Sequence, residues 1–145
     1  MPLLLLNSLS EALFQVVISL VIHGAPGTAQ GAQSALNFCQ AALQSGHQIY
    51  RLFFYEDGVH NAHALAVWPQ DERDLNADWA ALIQEHELDA VVCVASALKR
   101  GVLNQEESSR YDKMAVSLDP VFDISGLGQW VDACLHSDRV VSFGV

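Results

Sequence analysis

Four short runs of β-branched and aromatic residues, VVISLVI, IYRLFFY, AVVCV and RVVSF, constrain the fold most, because each has a strand's length and composition rather than a helix's. Between them lie segments with helical spacing. The first run sits within Leu13 to His23 and stops at Gly24-Ala25-Pro26-Gly27, which predicts a buried strand and a tight turn. From Thr28 to Ser45 the apolar positions Ala32, Ala35, Leu36, Cys39 and Leu43 predict a helix closed by Gly46. His47 to Tyr55 predicts a second strand, EDGVHNAHA a loop, Leu75 to His86 a helix, and Ala90 to Val94 a third strand. Ala95 to Arg100 reads as a short helix stopped by Gly101, and Asn104 to Lys113 as polar and helical or irregular. Met114 to Phe122 is expected to give a short strand, Ser125 to His136 a helix, and Arg139 to Phe143 the last strand.

Strands alternating with helices imply an α/β domain with a mainly parallel central sheet of about five strands and helices on both faces, since each parallel crossover needs a helix to return the chain. With 145 residues, half of them apolar, one domain with a proper core is expected. We place it at residues 13–145, preceded by an N-terminal extension, residues 1–12, expected to be disordered. The first 22 residues are apolar, yet no Lys or Arg precedes Arg51, and Asn7, Ser8, Ser10 and Glu11 divide the stretch into runs too short for a bilayer. Neither a secretory leader nor a membrane span is expected.

The loops after parallel strands emerge at one edge of the sheet, where open α/β folds bind their ligands. That edge would collect the GAPGTAQG turn, the EDGVHN loop and Cys93. Seven cations against seventeen acids give a formal charge of −10, which disfavours a direct grip on nucleic acid. The acids Asp71, Glu72, Asp74 and Asp78 read as a solvated face or as a docking surface for a basic partner. The three cysteines form no CxxC pair and suit a reducing, cytoplasmic compartment.

Cys39 and Cys134 both sit at helical spacings that point into a core, and are expected to be inert packing. Cys93 differs because it stands where a strand runs out and a helix begins, so backbone N–H groups could favour its thiolate. A helix terminus is worth only about 0.3–1 kcal/mol, whereas one pKa unit is about 1.4 kcal/mol. A second contribution is therefore required for reactivity, from Lys99 and Arg100 or from His60 or His63, and the residues alone leave open whether Cys93 is reactive or simply a small buried side chain. GAPGTAQG matches neither GxGxxG nor GxxxxGK[ST] and reads as a tight connection before it reads as a phosphate cradle. His60 and His63 have no third clear ligand beside them, so no metal site is expected. Trp68, Trp79 and Trp130 lack interleaved cations and read as core or interface.

The blocks FFYEDGVHNA, VCVASALKRGV, SGLGQW and DRVVSFG, in this order from Phe14 to Gly144, resemble the DsrE family of sulfur-handling proteins, and within it the TusD branch. The resemblance implies a sulfurtransferase of the relay that makes 2-thiouridine at the tRNA wobble position. It implies TusB-like and TusC-like subunits in an oligomer, a TusA-like sulfur donor and a TusE-like acceptor, with no cofactor and no direct contact with nucleic acid. The family's persulfide cysteine lies in the block before the A-L-K/R-R-G-V segment, which maps onto Cys93. Asp57, His60, Lys99 and Arg100 are expected near it as supporting groups, although the histidines occupy variable parts of the loop. Two other readings stand beside this one: a non-catalytic structural subunit of a DsrE-type hetero-oligomer with an inert Cys93, and a small flavin or nucleotide binder using the GAPGTAQG turn.

Overall fold

The computed structural model describes residues 14–145. The expected extension, residues 1–12, lies outside them. Among the described residues the sheet has five strands, all parallel, in the order β4-β3-β2-β1-β5. They are β1 (Val17–Ile22), β2 (Gln48–Phe54), β3 (Ala90–Cys93), β4 (Asp123–Ser125) and β5 (Arg139–Phe143). The helices are α1 (Gly31–Gln44), α2 (Leu75–His86), α3 (Val94–Leu98), α4 (Gln105–Arg110) and α5 (Gly128–His136), with a 3-10 helix over Glu56–Ala62. None is long and apolar enough to cross a membrane among the described residues.

Strand alternation divides the core. Ile18, Leu20 and Ile22 of β1 join Leu52, Phe54 and Val92 in a large cluster with α1 and α2, whereas Val21, Phe53, Val91 and Cys93 form a smaller cluster on the other face, covered by Tyr55 and Trp130 of α5. The handedness of parallel crossovers explains the split. The chain steps from β1 through β2 and β3 to β4 in one direction, then returns past all of them to β5, so the returning helix must use the opposite face.

Local chemistry sets the helix ends. α1 buries Ala32, Ala35, Leu36, Cys39 and Ala42 along one stripe. It ends in a Schellman turn, with Gly46 at φ +84 donating to the Leu43 carbonyl at 3.1 Å and His47 donating to Ala42 at 3.0 Å. α2 starts where Asp74 accepts the Ala77 N–H at 2.9 Å. In the same acidic segment Asp78 pairs with Arg73.

α5 is held to the sheet by a nearly buried cation. Arg51, 8% exposed, donates to Asp89 at 2.7 and 3.0 Å and to Asp132 and the Gln129 carbonyl at 2.8 Å. Tyr50 also donates to Asp132 at 2.8 Å. A buried cation is tolerated only when its donors are used in this way.

Three expectations are corrected. EDGVHNA is a 3-10 helix rather than an open loop. Met114 to Phe122 forms no strand; only Leu118 bridges to His63, and β3 pairs instead with Asp123–Ser125. Its apolar residues misled because Met114 and Val116 are exposed, while Ser117 anchors the segment by accepting the Leu103 N–H at 2.9 Å and donating to the Gly101 carbonyl. Cys134 does not point into a core but is exposed, because only Ala133 of α5 is buried and the cysteine falls on the outer side.

Candidate functional site

Cys93 is the last residue of β3 and the cap residue of α3, opposite Ser125 in the β3–β4 register. This is the carboxyl edge of the sheet. The chain after β3 stays beside α3 while the chain after β4 crosses to α5 on the other face, and the diverging connections leave a crevice between them. A cavity of about 510 Å³ occupies it, walled by Tyr55 and Glu56 after β2, Cys93 to Ser96, Lys99 and Arg100 after β3, and Gly126 and Leu127 after β4. Cys93 forms part of that wall with only 2% of its surface exposed.

The wall is tied together by bonds between residues far apart in sequence. Glu56 adopts a left-handed backbone at φ +51 and its N–H donates to Ser96 Oγ at 3.0 Å. A non-glycine residue held there marks a conformation imposed by its surroundings. Arg100 donates from Nε to Asp57 at 2.8 Å and from its terminal nitrogen to the Ser96 carbonyl at 3.2 Å. The hydrogen bond from Arg100 holds the Asp57 carboxyl below the usual carboxylate range. Gly58 sits so close to β1 that a Cβ there would lie 1.9 Å from the Ile22 carbonyl oxygen. Asn61, behind it, donates to the Gly58 and Gly24 carbonyls at 2.8 and 3.0 Å.

Of the residues named from sequence, Cys93, Lys99 and Arg100 line this cavity, and Asp57 is paired to Arg100 at its rim. His60 and His63 line a different depression with Gly27 and Trp68, their rings stacked 5.5 Å apart. Glu56 and Ser96 were not singled out by sequence. The E-D-G triplet at a strand end is the only local sign of the tight turn that presents Glu56, and nothing local marks Ser96.

The other cysteines contrast with Cys93. Burial pushes the Cys39 thiol up to about 12, so it stays protonated and inert. Cys134 is exposed on α5, away from the crevice-lining residues. The GAPGTAQG segment is a packed connection: Gly27, at φ +78, lies under the Trp68 ring, and a Cβ at Gly31 would lie 1.9 Å from the Gly144 carbonyl oxygen.

The histidine pair carries a stability prediction. Burial first, and the neighbouring His60 second, lower the His63 pKa below the ordinary 6.5. The unfolded chain therefore takes up a proton at a higher pH than the folded one. Stability is expected to fall as pH drops from about 6.5 to the lowered folded value, and to level off below it. Melting temperature measured against pH should show a shallower acid slope in His63→Asn; an identical slope would contradict this origin.

Residues 16–143 match the model of the DsrE/DsrF-like family. The chain is 51% identical to a protein named sulfurtransferase TusD homolog from Pseudomonas aeruginosa, over 82% of this chain and 91% of that one. It is 43% identical to sulfurtransferase TusD of Serratia proteamaculans, over 86% of this chain and 96% of that one. Among solved structures, the ychN protein of E. coli superimposes with a TM-score of 0.69 at 17% identity, covering 90% of this chain and 100% of that one, a likeness of fold.

Proposed function

This chain belongs to the DsrE/DsrF-like family, and on that premise we propose that it is a sulfurtransferase that carries sulfur as a persulfide on Cys93. The observation that carries the reading is positional: Cys93 forms part of a cavity wall at the carboxyl edge of the sheet, whereas Cys39 is sealed in the core. Its relatives named sulfurtransferase supply the reaction class.

The chemistry is exchange at sulfur. The Cys93 thiolate attacks the outer sulfur of a donor persulfide, R–S–SH; a new S–S bond forms as the donor's S–S bond breaks, and the electron pair leaves on the donor's inner sulfur, R–S⁻. The product is Cys93–S–SH, and its proton can pass to the departing thiolate. An acceptor thiolate then attacks the outer sulfur and Cys93 leaves as thiolate. No net oxidation occurs in either step. We assign the donor to a TusA-like protein and the acceptor to a TusE-like protein, with TusB-like and TusC-like subunits completing a cytoplasmic oligomer and 2-thiouridine at the tRNA wobble position as the end product. The charge of −10 suits a component that meets proteins and leaves tRNA to a later enzyme.

One observation favours a second reading. Cys93 is almost fully buried, as an inert cysteine in a structural subunit would be. Reconstitution separates the two. With a persulfide-loaded donor, an acceptor and the companion subunits, sulfur is expected on the acceptor only when this chain is present with Cys93 intact. Equal transfer with Cys93 replaced would leave the structural role.

A further inference from the structure

The two neighbouring cations after Cys93 are not equivalent. Arg100 is committed: its Nε is bonded to Asp57 at 2.8 Å, its terminal nitrogen reaches the Ser96 carbonyl at 3.2 Å, and its side chain is 21% exposed. Ser96 in turn receives the Glu56 N–H. These bonds join α3 to the 3-10 helix and fix one wall of the cavity. Lys99 lines the same cavity, is exposed, and forms no ion pair among the described residues. The other titratable groups facing the cavity are Tyr55 and Glu56 at the end of β2, with Asp57 at the rim bonded to Arg100 and also within electrostatic reach of Lys99 and His60; the wall after β4 contributes only Gly126 and Leu127.

Building on the reading of Cys93 as the sulfur carrier, we propose that Lys99 is the cation that meets the sulfur anion in this cavity, and that Arg100, with Asp57 and Ser96, is a positioning residue for the wall. Each exchange step moves the negative charge between Cys93 Sγ and a partner sulfur on the far side of the transferred atom, the donor's inner sulfur in the first step and the acceptor sulfur in the second, two S–S bonds or about 4 Å away. An ammonium on a flexible four-carbon stem can follow that displacement. A guanidinium held by bonds to two different residues cannot do so without releasing the wall.

The test follows Cys93 alkylation by iodoacetamide against pH, read by peptide mass spectrometry, in the wild type and in Lys99→Met, Lys99→Arg and Arg100→Met. Lys99→Met is expected to slow reaction at neutral pH by about three- to ten-fold. Lys99→Arg should recover most of the rate. Arg100→Met should lower the melting temperature while leaving the rate at neutral pH in place. A Lys99→Met profile that superimposes on the wild type, or an Arg100→Met slowing as large, would overturn the assignment. Inorganic polysulfide, applied separately to the wild type, keeps the two claims distinct. Persulfide on Cys93 beside an unchanged Lys99→Met profile would end the role of Lys99 alone, whereas a slowed profile without persulfide on Cys93 would end the carrier reading alone.

Discussion

Cys93→Ser is expected to abolish sulfur transfer, lowering the rate about a thousand-fold or more, while the protein still folds. A serine hydroxyl is far less nucleophilic toward sulfur than a thiolate and leaves no persulfide to pass on. The stability cost should stay near 1–2 kcal/mol, from placing a hydroxyl in a site that is 2% exposed and packed against Val21, Phe53 and Val91. Circular dichroism and a melting curve check the fold, and acceptor persulfidation checks the transfer. The split between the two measurements matters, because a variant that lost both would report on packing and not on chemistry.

The second large effect is expected from a residue that touches no sulfur. In Gly58→Ala the new Cβ would fall 1.9 Å from the Ile22 carbonyl oxygen, with the Ile22 carbonyl carbon at 2.8 Å. Both are backbone atoms of the end of β1, so relief requires the 3-10 helix to lift. That movement pulls on Glu56, on its bond to Ser96 and on the Asp57–Arg100 pair. A loss of about 2–4 kcal/mol is expected, with a fall in transfer rate, since overpacking against backbone cannot be absorbed by a rotamer change. Gly128→Ala is the control: nothing lies within 4 Å of its Cβ and it begins α5, so a change between zero and about 1 kcal/mol of stabilisation is expected. Equal melting temperatures for Gly58→Ala and wild type would contradict the close approach.

Much of the fold is legible because its determinants are local. Leu75–His86 coincides with its expected bounds, since Asp74 is a capping residue in sequence as well as in structure, and Arg139–Phe143 does so because its β-branched residues stand between helix and terminus. Met114 to Phe122 misleads because apolar composition does not fix burial: Met114 and Val116 are exposed, Leu118 makes a single bridge to His63, and β3 pairs with Asp123–Ser125 instead. Cys134 misleads because helical spacing fixes which residues share a face but not whether that face is covered, and α5 leaves Val131 and Leu135 exposed beside it.

The site is legible in part for the same reason. Cys93 is marked by its place at a strand end, and Lys99 and Arg100 by proximity in the chain. The bond between Glu56 and Ser96 joins residues 40 positions apart, and the Arg100–Asp57 pair spans 43. Such partners leave no periodic trace. His60 lines the depression beside Trp68 and not the cavity wall, yet its charge acts on Asp57 at the rim, so strand-end topology places it beside the site and the 3-10 helix sets which hollow its ring enters.

The central claim is that sulfur rests on Cys93, and peptide mass spectrometry of the protein after incubation with a persulfide-loaded donor tests it most directly. One added sulfur is expected on the peptide containing Cys93, removed by an acceptor thiol, and none on Cys39. Sulfur confined to the exposed Cys134, with the Cys93 peptide unmodified, would contradict it.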